Sequence, residues 1–303
     1  MKGMKNILIS LFSRALVSLP EQPSPTARSM GRVLMVVSNT NTLQLKDNRV
    51  VSTGYYLNEL TVPAQYLLEA GYEVVVATPS GKKPVIDAHS NNMSFFGYDQ
   101  AAWQRALTFV DTYPSLQNPK TLKTVVSEGL ERYLGVYVPG DRAAMNDLMQ
   151  DADFGQILEY LHQKSQPTAF PGHGSVAMLT TLPNAVAYRK ALVDGDEETA
   201  KTASVDWQYA GYRMTSFSNE EEYVVESEIF KGQVPFYVAD ALKSLGGRVE
   251  HGPSYRSFVV HNRELLAGQN PSSARAIAQE FVEALDEARV MPTWVRKYCL
   301  GHA

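Results

Sequence analysis

The chain has 303 residues, 44% of them hydrophobic and 20% charged, which suits a globular protein and excludes a disordered or fibrous one. Lys and Arg total 28 against 32 Asp and Glu, a net charge of −4, so the basic stripe of a dedicated nucleic-acid binder is not expected. The single cysteine, Cys299, excludes an internal disulfide and a multi-thiolate metal or cluster site.

Lys2 and Lys5 precede the apolar run Ile7–Phe12, like the start of a secretory signal, but Arg14 interrupts it. Pro20, Pro23 and Pro25 then mark a linker. Residues 1–30 are therefore read as an extension on a cytoplasmic protein, with export or membrane-surface attachment through this segment as the alternative. No uninterrupted apolar run approaches the ~20 residues of a membrane span. Residues 291–303, with Cys299 and His302, read as a surface tail.

Between the two ends, Arg32–Ser38 is a nearly continuous apolar run, as in a parallel strand buried on both faces. A helix is expected over Asn58–Ala70, closed by Gly71, then a strand over Tyr72–Thr78. Residues 80–130 break this rhythm and read as an inserted cap, with a helix at Asp99–Val110 and another starting at Asn118-Pro119. Strands follow at Gly135–Val138 and Thr168–Phe170, with a helix over Asp153–Lys164 between them. A helix is expected from Ser175, a strand over Arg213–Phe217, and a helix over Val234–Leu245. Ser257–Val260 and Glu264–Ala267 flank a turn, and Ser272–Ala288 forms a last helix. The alternation predicts one domain over 31–290, an α/β fold with a doubly wound, mostly parallel sheet.

In such a sheet ligands collect at the carboxyl ends of the strands, where three segments hold candidates. In the first, Thr168–Leu179, a strand runs into a sharp turn and a helix, the geometry of a nucleophile elbow. Its apex is Gly172, which has no side chain, and Ser175 lies off the apex. In the second, Val138–Leu148, a strand ends in Pro139-Gly140, whose turn could hold an anion or form an ordinary strand–helix connection. In the third, Thr53–Pro63, Glu59 lies early in a helix, as a general acid or base or as a solvated residue favoured by the helix dipole. His89, His162, His251 and His261 show no ligand spacing and read as structural or surface residues, so no metal and no cofactor is expected.

In this order and spacing, the three segments resemble the ThiJ/PfpI superfamily, also called the DJ-one superfamily, of class I glutamine amidotransferase-like proteins. The branch they resemble is that of the heat-shock chaperones and glyoxalase III. Further matching stretches are Lys46–Val50 leading to Thr53-Gly54, Ala70–Val74 with Thr78-Pro79, Gly211–Phe217 and Gly268–Ser273. The resemblance covers residues 32–287 and implies a flavodoxin-like sandwich. It places the family's helix-borne glutamate at Glu59. The family's Cys-His-Gly-Pro elbow falls on Gly172-His173-Gly174-Ser175, which keeps the histidine and replaces the cysteine by glycine. The acidic third member falls at Glu222, with Glu220 as its rival. The family's Gly-Gly-His-Gly oxyanion turn falls on Gly140-Asp141-Arg142-Ala143.

Thiol chemistry of this family needs a thiolate to add to an aldehyde carbonyl, with a carboxylate moving protons. Without the cysteine, the resemblance implies a catalytically silent relative that binds a small carbonyl compound, another small polar ligand or a protein. The alternatives are an enzyme turning methylglyoxal to lactate, or a deglycase, that uses Glu59 and His173 without a thiol, and a holding chaperone for unfolded clients. A homodimer is implied, with no nucleic-acid partner. Gly140, Asp141, Arg142 and Gly174 are the binding candidates, with Arg142 expected to meet a ligand anion or to pair with Asp141 or Asp147.

Overall fold

Successive side chains along a strand face opposite ways, so a strand that is apolar throughout must be covered on both sides. The first strand shows this in a computed structural model, which describes residues 29–140 and 142–291. Val33 and Met35 pack into one hydrophobic core, and Leu34 and Val36 into the other. The strands in chain order are β1 (Gly31–Val36), β2 (Thr42–Gln44), β3 (Val50–Ser52), β4 (Tyr72–Thr78), β5 (Lys120–Thr121), β6 (Tyr133–Tyr137), β7 (Thr168–Pro171), β8 (Arg213–Met214), β9 (Arg248–Val249), β10 (Val259–Asn262) and β11 (Leu265–Gly268). The main sheet has seven strands in the order β10-β11-β7-β6-β1-β4-β5. All its neighbours run parallel except β10 and β11, which form an antiparallel hairpin at one edge.

The helices are α1 (Leu57–Glu69), α2 (Gln100–Thr112), α3 (Pro114–Gln117), α4 (Leu122–Glu128), α5 (Ala152–Gln163), α6 (Ala185–Asp194), α7 (Glu197–Ala203), α8 (Asn219–Val225), α9 (Val238–Ser244) and α10 (Ala274–Val290). Buried residues of α1, α2 and α10 share one core with Val33 and Met35, and those of α4, α5, α6 and α9 share the other with Leu34 and Val36. This is the expected α/β sandwich. Within residues 80–130, β5 pairs with β4 and so extends the main sheet at its edge. Among the described residues no helix is long and apolar enough to cross a membrane. The readings of residues 1–28, Cys299 and His302 lie outside the described residues.

Several local expectations change. The helix expected from Ser175 is a buried 3-10 segment, Gly172–Thr181. Ser175 and Thr181 give their hydroxyl hydrogens to the carbonyls three residues back, at 2.8 and 2.9 Å, a pattern that competes with α-helical bonding. The strand expected over Arg213–Phe217 shrinks to the two residues of β8, because Phe217 and Ser218 turn inward to start α8. The helix over Val234–Leu245 begins only at Val238, after Pro235. The helix expected after Gly140 is instead two short 3-10 segments, Arg142–Met145 and Leu148–Gln150, with the Asp147 side chain accepting from the Leu148 amide at 2.6 Å.

Candidate functional site

Three chain segments meet at the carboxyl ends of β6 and β7. Glu59 comes from the first turn of α1 and is fully buried. Its carboxyl lies between two glycines: a Cβ on Gly140 would fall 2.2 Å from Oε2, and one on Gly172 3.3 Å from Oε1. The position therefore admits a carboxyl only because Gly140 has no side chain. Gly172 has φ +51°, the left-handed backbone of an elbow apex. Gly174 is a glycine by necessity too, since a Cβ there would meet the Val138 carbonyl at 2.5 Å.

His173 follows the apex, and its Nε2 is paired with Glu222 Oε2. Arg142 gives its Nε hydrogen to Glu222 Oε1 at 3.0 Å, and Nη2 lies 3.0 Å from the same oxygen. Arg142 also hydrogen-bonds the Tyr56 side chain. Its guanidinium carbon sits 5.4 Å from the ring centroids of both Phe217 and Phe230, a cation–π arrangement. Phe217 also packs on the His173 ring at 4.5 Å. Phe230 closes a π-helical turn, Glu226–Phe230, that continues α8.

The aim of Glu222 is set by its neighbour. Ser218 and Glu221 form a reciprocal capping box at the start of α8. Buried Glu221 also accepts from the Tyr255 amide at 2.7 Å, Asn270 Nδ2 at 2.8 Å and Gln269 Nε2 at 3.0 Å. With Glu221 anchored inward, the next residue, Glu222, faces Arg142 and His173, while the rival Glu220 is exposed.

Burial sets the charge states. It pushes the Glu59 carboxyl up to about 8, although Arg142 works against the shift and Glu59 sits at a favourable helix end. Burial also opposes ionisation of Glu222, but Arg142 and then His173 outweigh it and hold that carboxyl at about 2. His173 is lowered, by burial first and by Arg142 second, against the pull of Glu222. At neutral pH the site thus holds a neutral Glu59, a neutral His173 and one compensated pair, Arg142 with Glu222.

The structure brings Glu59, Gly140, Arg142, Gly172, His173 and Glu222 together. Asp141 lies outside the described residues. Asp147 does not pair with Arg142; it accepts from Ser38 Oγ at 2.8 Å and caps the following turn. Ser175 is buried off the apex with its hydroxyl committed to the Gly172 carbonyl. Of the scattered histidines, His89 meets Asp87 and His162 meets buried Glu264, His251 is half-buried, and His261 is exposed on β10. Among the described residues no group of three or more potential ligands could hold a metal ion. Tyr56, Phe217, Phe230 and Glu221 escaped the sequence reading. Only Glu221 carried a usable signal, the Ser-x-x-Glu spacing of a capping box.

Fold and site together define an α/β sandwich protein with a buried polar site at a strand–helix elbow. No family model matches the chain. A protein/nucleic acid deglycase HchA of Staphylococcus aureus is 24% identical over 259 residues, covering 84% of this chain and 80% of the relative. Two solved structures share the fold. The Rapid Encystment Protein of Francisella tularensis has a TM-score of 0.64 and 21% identity over 84% of this chain and 99% of its own. Glyoxalase III from Candida albicans has a TM-score of 0.63 and 19% identity over 84% and 97%. The chain is thus similar in sequence to the HchA deglycases and shares the fold of the glyoxalase III structure.

Proposed function

We propose that this chain is a relative of the deglycase and glyoxalase III enzymes that has lost thiol-dependent catalysis and keeps a ligand site at the elbow. The observation that carries this reading is Gly172, which holds the left-handed apex conformation beside Glu59 and offers no nucleophile. Ser175 is committed to a backbone carbonyl and does not substitute for it. The chain's one cysteine, Cys299, lies outside the described residues. The turn after β6 supports the reading too, because Arg142 is paired with Glu222.

The test is methylglyoxal consumption and lactate formation, without added thiol, by the natural protein beside Gly172→Cys. The natural protein should stay at the protein-free rate, and the variant should exceed it at least tenfold. A side chain at φ +51° and 3.3 Å from Glu59 is strained, so the variant should also lose about 1–2 kcal/mol of stability in urea unfolding. Turnover by the natural protein would instead favour a second reading, an enzyme that moves protons with Glu59 alone. The neutral carboxyl of Glu59 near pH 7 is what favours it.

A further inference from the structure

Away from the elbow, helices α6, α7 and α9 enclose a cavity of about 590 Å³, within the range of small-molecule sites. Its floor is apolar: Tyr188 and Leu192 come from α6, Ala200 from α7, Phe236 and Tyr237 from the chain entering α9, and Ala241 from α9 itself. The polar tips of the two tyrosines are already used. Tyr188 gives its hydroxyl hydrogen to the Ala241 carbonyl at 3.1 Å and lies 2.7 Å from Ser244 Oγ. Tyr237 gives its hydroxyl hydrogen to buried Glu226 at 2.8 Å, and the other oxygen of Glu226 accepts from the Val234 amide at 2.7 Å. One buried carboxylate thus fixes both ends of the wall Val234–Tyr237, and the Lys46 amide ties Gln233 beside it at 3.0 Å. The cavity is therefore formed before a ligand arrives, which spares the cost of ordering it on binding.

The rim carries Lys46 and Lys201 against Asp196, Glu197 and Asp240, a balance of 2 − 3 = −1. Two of the carboxylates are committed: Asp196 accepts from the Thr199 amide at 3.0 Å, and Asp240 from Asn219 Nδ2 at 2.9 Å. Glu197 and Lys201 stand one turn apart on α7, where each offsets the field of the other. All five are exposed, so solvent screens what remains, and the rim gives a charged head group little to hold. Moving a charge onto the apolar floor is costly as well. We propose that this cavity binds an uncharged molecule, apolar over most of its surface and of the size of a small polycyclic aromatic. The attraction comes from burial of apolar area and from ring contacts with Tyr188, Phe236 and Tyr237. None of Glu59, Arg142, Gly172, His173 and Glu222 lines the cavity, so its test does not depend on the reading above.

The experiment titrates the protein with N-phenylnaphthylamine, an uncharged fluorescent probe, and with anilinonaphthalene sulfonate, which shares its ring systems and adds one negative charge. The uncharged probe should saturate at one molecule per chain, and the sulfonate should bind more weakly. Ala200→Trp fills the cavity and should weaken the uncharged probe roughly tenfold or more. Leu192→Asp leaves the space open but puts a charge on the floor, and it should weaken the probe to a similar extent, so the test stands if one of the two variants does not fold. Lys201→Glu alters only the rim and should leave the affinity within about twofold. The proposal is overturned by absence of saturable binding, by unchanged affinity in a folded Ala200→Trp or Leu192→Asp, or by a sulfonate that binds as tightly as the uncharged probe. A larger shift in Lys201→Glu overturns it too, because the rim charge would then be holding the ligand.

Discussion

Glu59→Gln should raise the melting temperature of this protein at pH 8 and leave it nearly unchanged at pH 5. The folded carboxyl titrates at about 8, against 4.5 in the unfolded chain, so the fold binds this proton more tightly than the unfolded state does. The contribution of such a group is fully present below its unfolded value and is lost as pH rises through its folded one. At pH 8 the natural protein must either keep the proton or bury a charge, and either costs roughly 4 kcal/mol. Glutamine keeps the shape and removes the titration. At about 2 °C per kcal/mol for a chain of this size, the gain at pH 8 is about 8 °C. Glu222 has the opposite sign: its stability is present above about 4.5 and lost as pH falls toward about 2. Acid unfolding should therefore be the same in natural protein and Glu59→Gln. Scanning calorimetry at pH 5 and pH 8 makes the comparison. A difference that does not grow with pH would mean that Glu59 is ionised in the fold.

This prediction also shows how far the sequence carries. Glu59 was found from its place early in a helix, and Gly172 from a strand running into Pro171-Gly172-His173-Gly174. Both are local patterns, and local patterns survive into the fold. The strands β1 and β4 were legible for the same reason, since a continuous apolar run leaves few alternatives to burial on both faces. The burial of Glu59 between Gly140 and Gly172 was not legible, because it depends on three segments meeting in space. Glu222 was narrowed only to itself or Glu220, since the register of α8 is set by what Glu221 reaches, and Asn270 and Tyr255 are distant in sequence. The 3-10 segment after Gly172 escaped because apolar residues suit either helix. Its choice follows from the hydroxyls of Ser175 and Thr181 and from complete burial. Arg142 was read as facing a ligand or a nearby aspartate, and its partner proved to be 80 positions away.

Arg142→Met should cost about 3–5 kcal/mol, the usual penalty for stripping one partner from a buried ion pair. Methionine keeps an unbranched apolar stem but is shorter and uncharged, so it leaves Glu222 ionised, buried and held only by His173. The two aromatic contacts of the guanidinium, with Phe217 and Phe230, go as well, at about 0.5–1 kcal/mol each. Adding Glu222→Gln removes the orphaned charge, so the double variant should recover most of the loss. A double-mutant cycle in urea then reads the coupling directly, and a value near zero would mean that the pair contributes nothing beyond packing. The cycle has an electrostatic counterpart. Burial and Arg142 both hold the His173 pKa down, while Glu222 pulls it up. Removing Arg142 alone leaves the carboxylate beside the ring, so the His173 pKa should rise in the single variant. The ring then accepts a proton and compensates Glu222, and the stability penalty should shrink as pH falls from 7 toward 5. NMR titration of His173 in the natural protein and in Arg142→Met tests this, because a packing defect would weaken the fold without moving the histidine. The same pairing accounts for the chemistry of the site: while Arg142 satisfies Glu222, His173 stays neutral, and Glu59 is the group there that titrates at about 8.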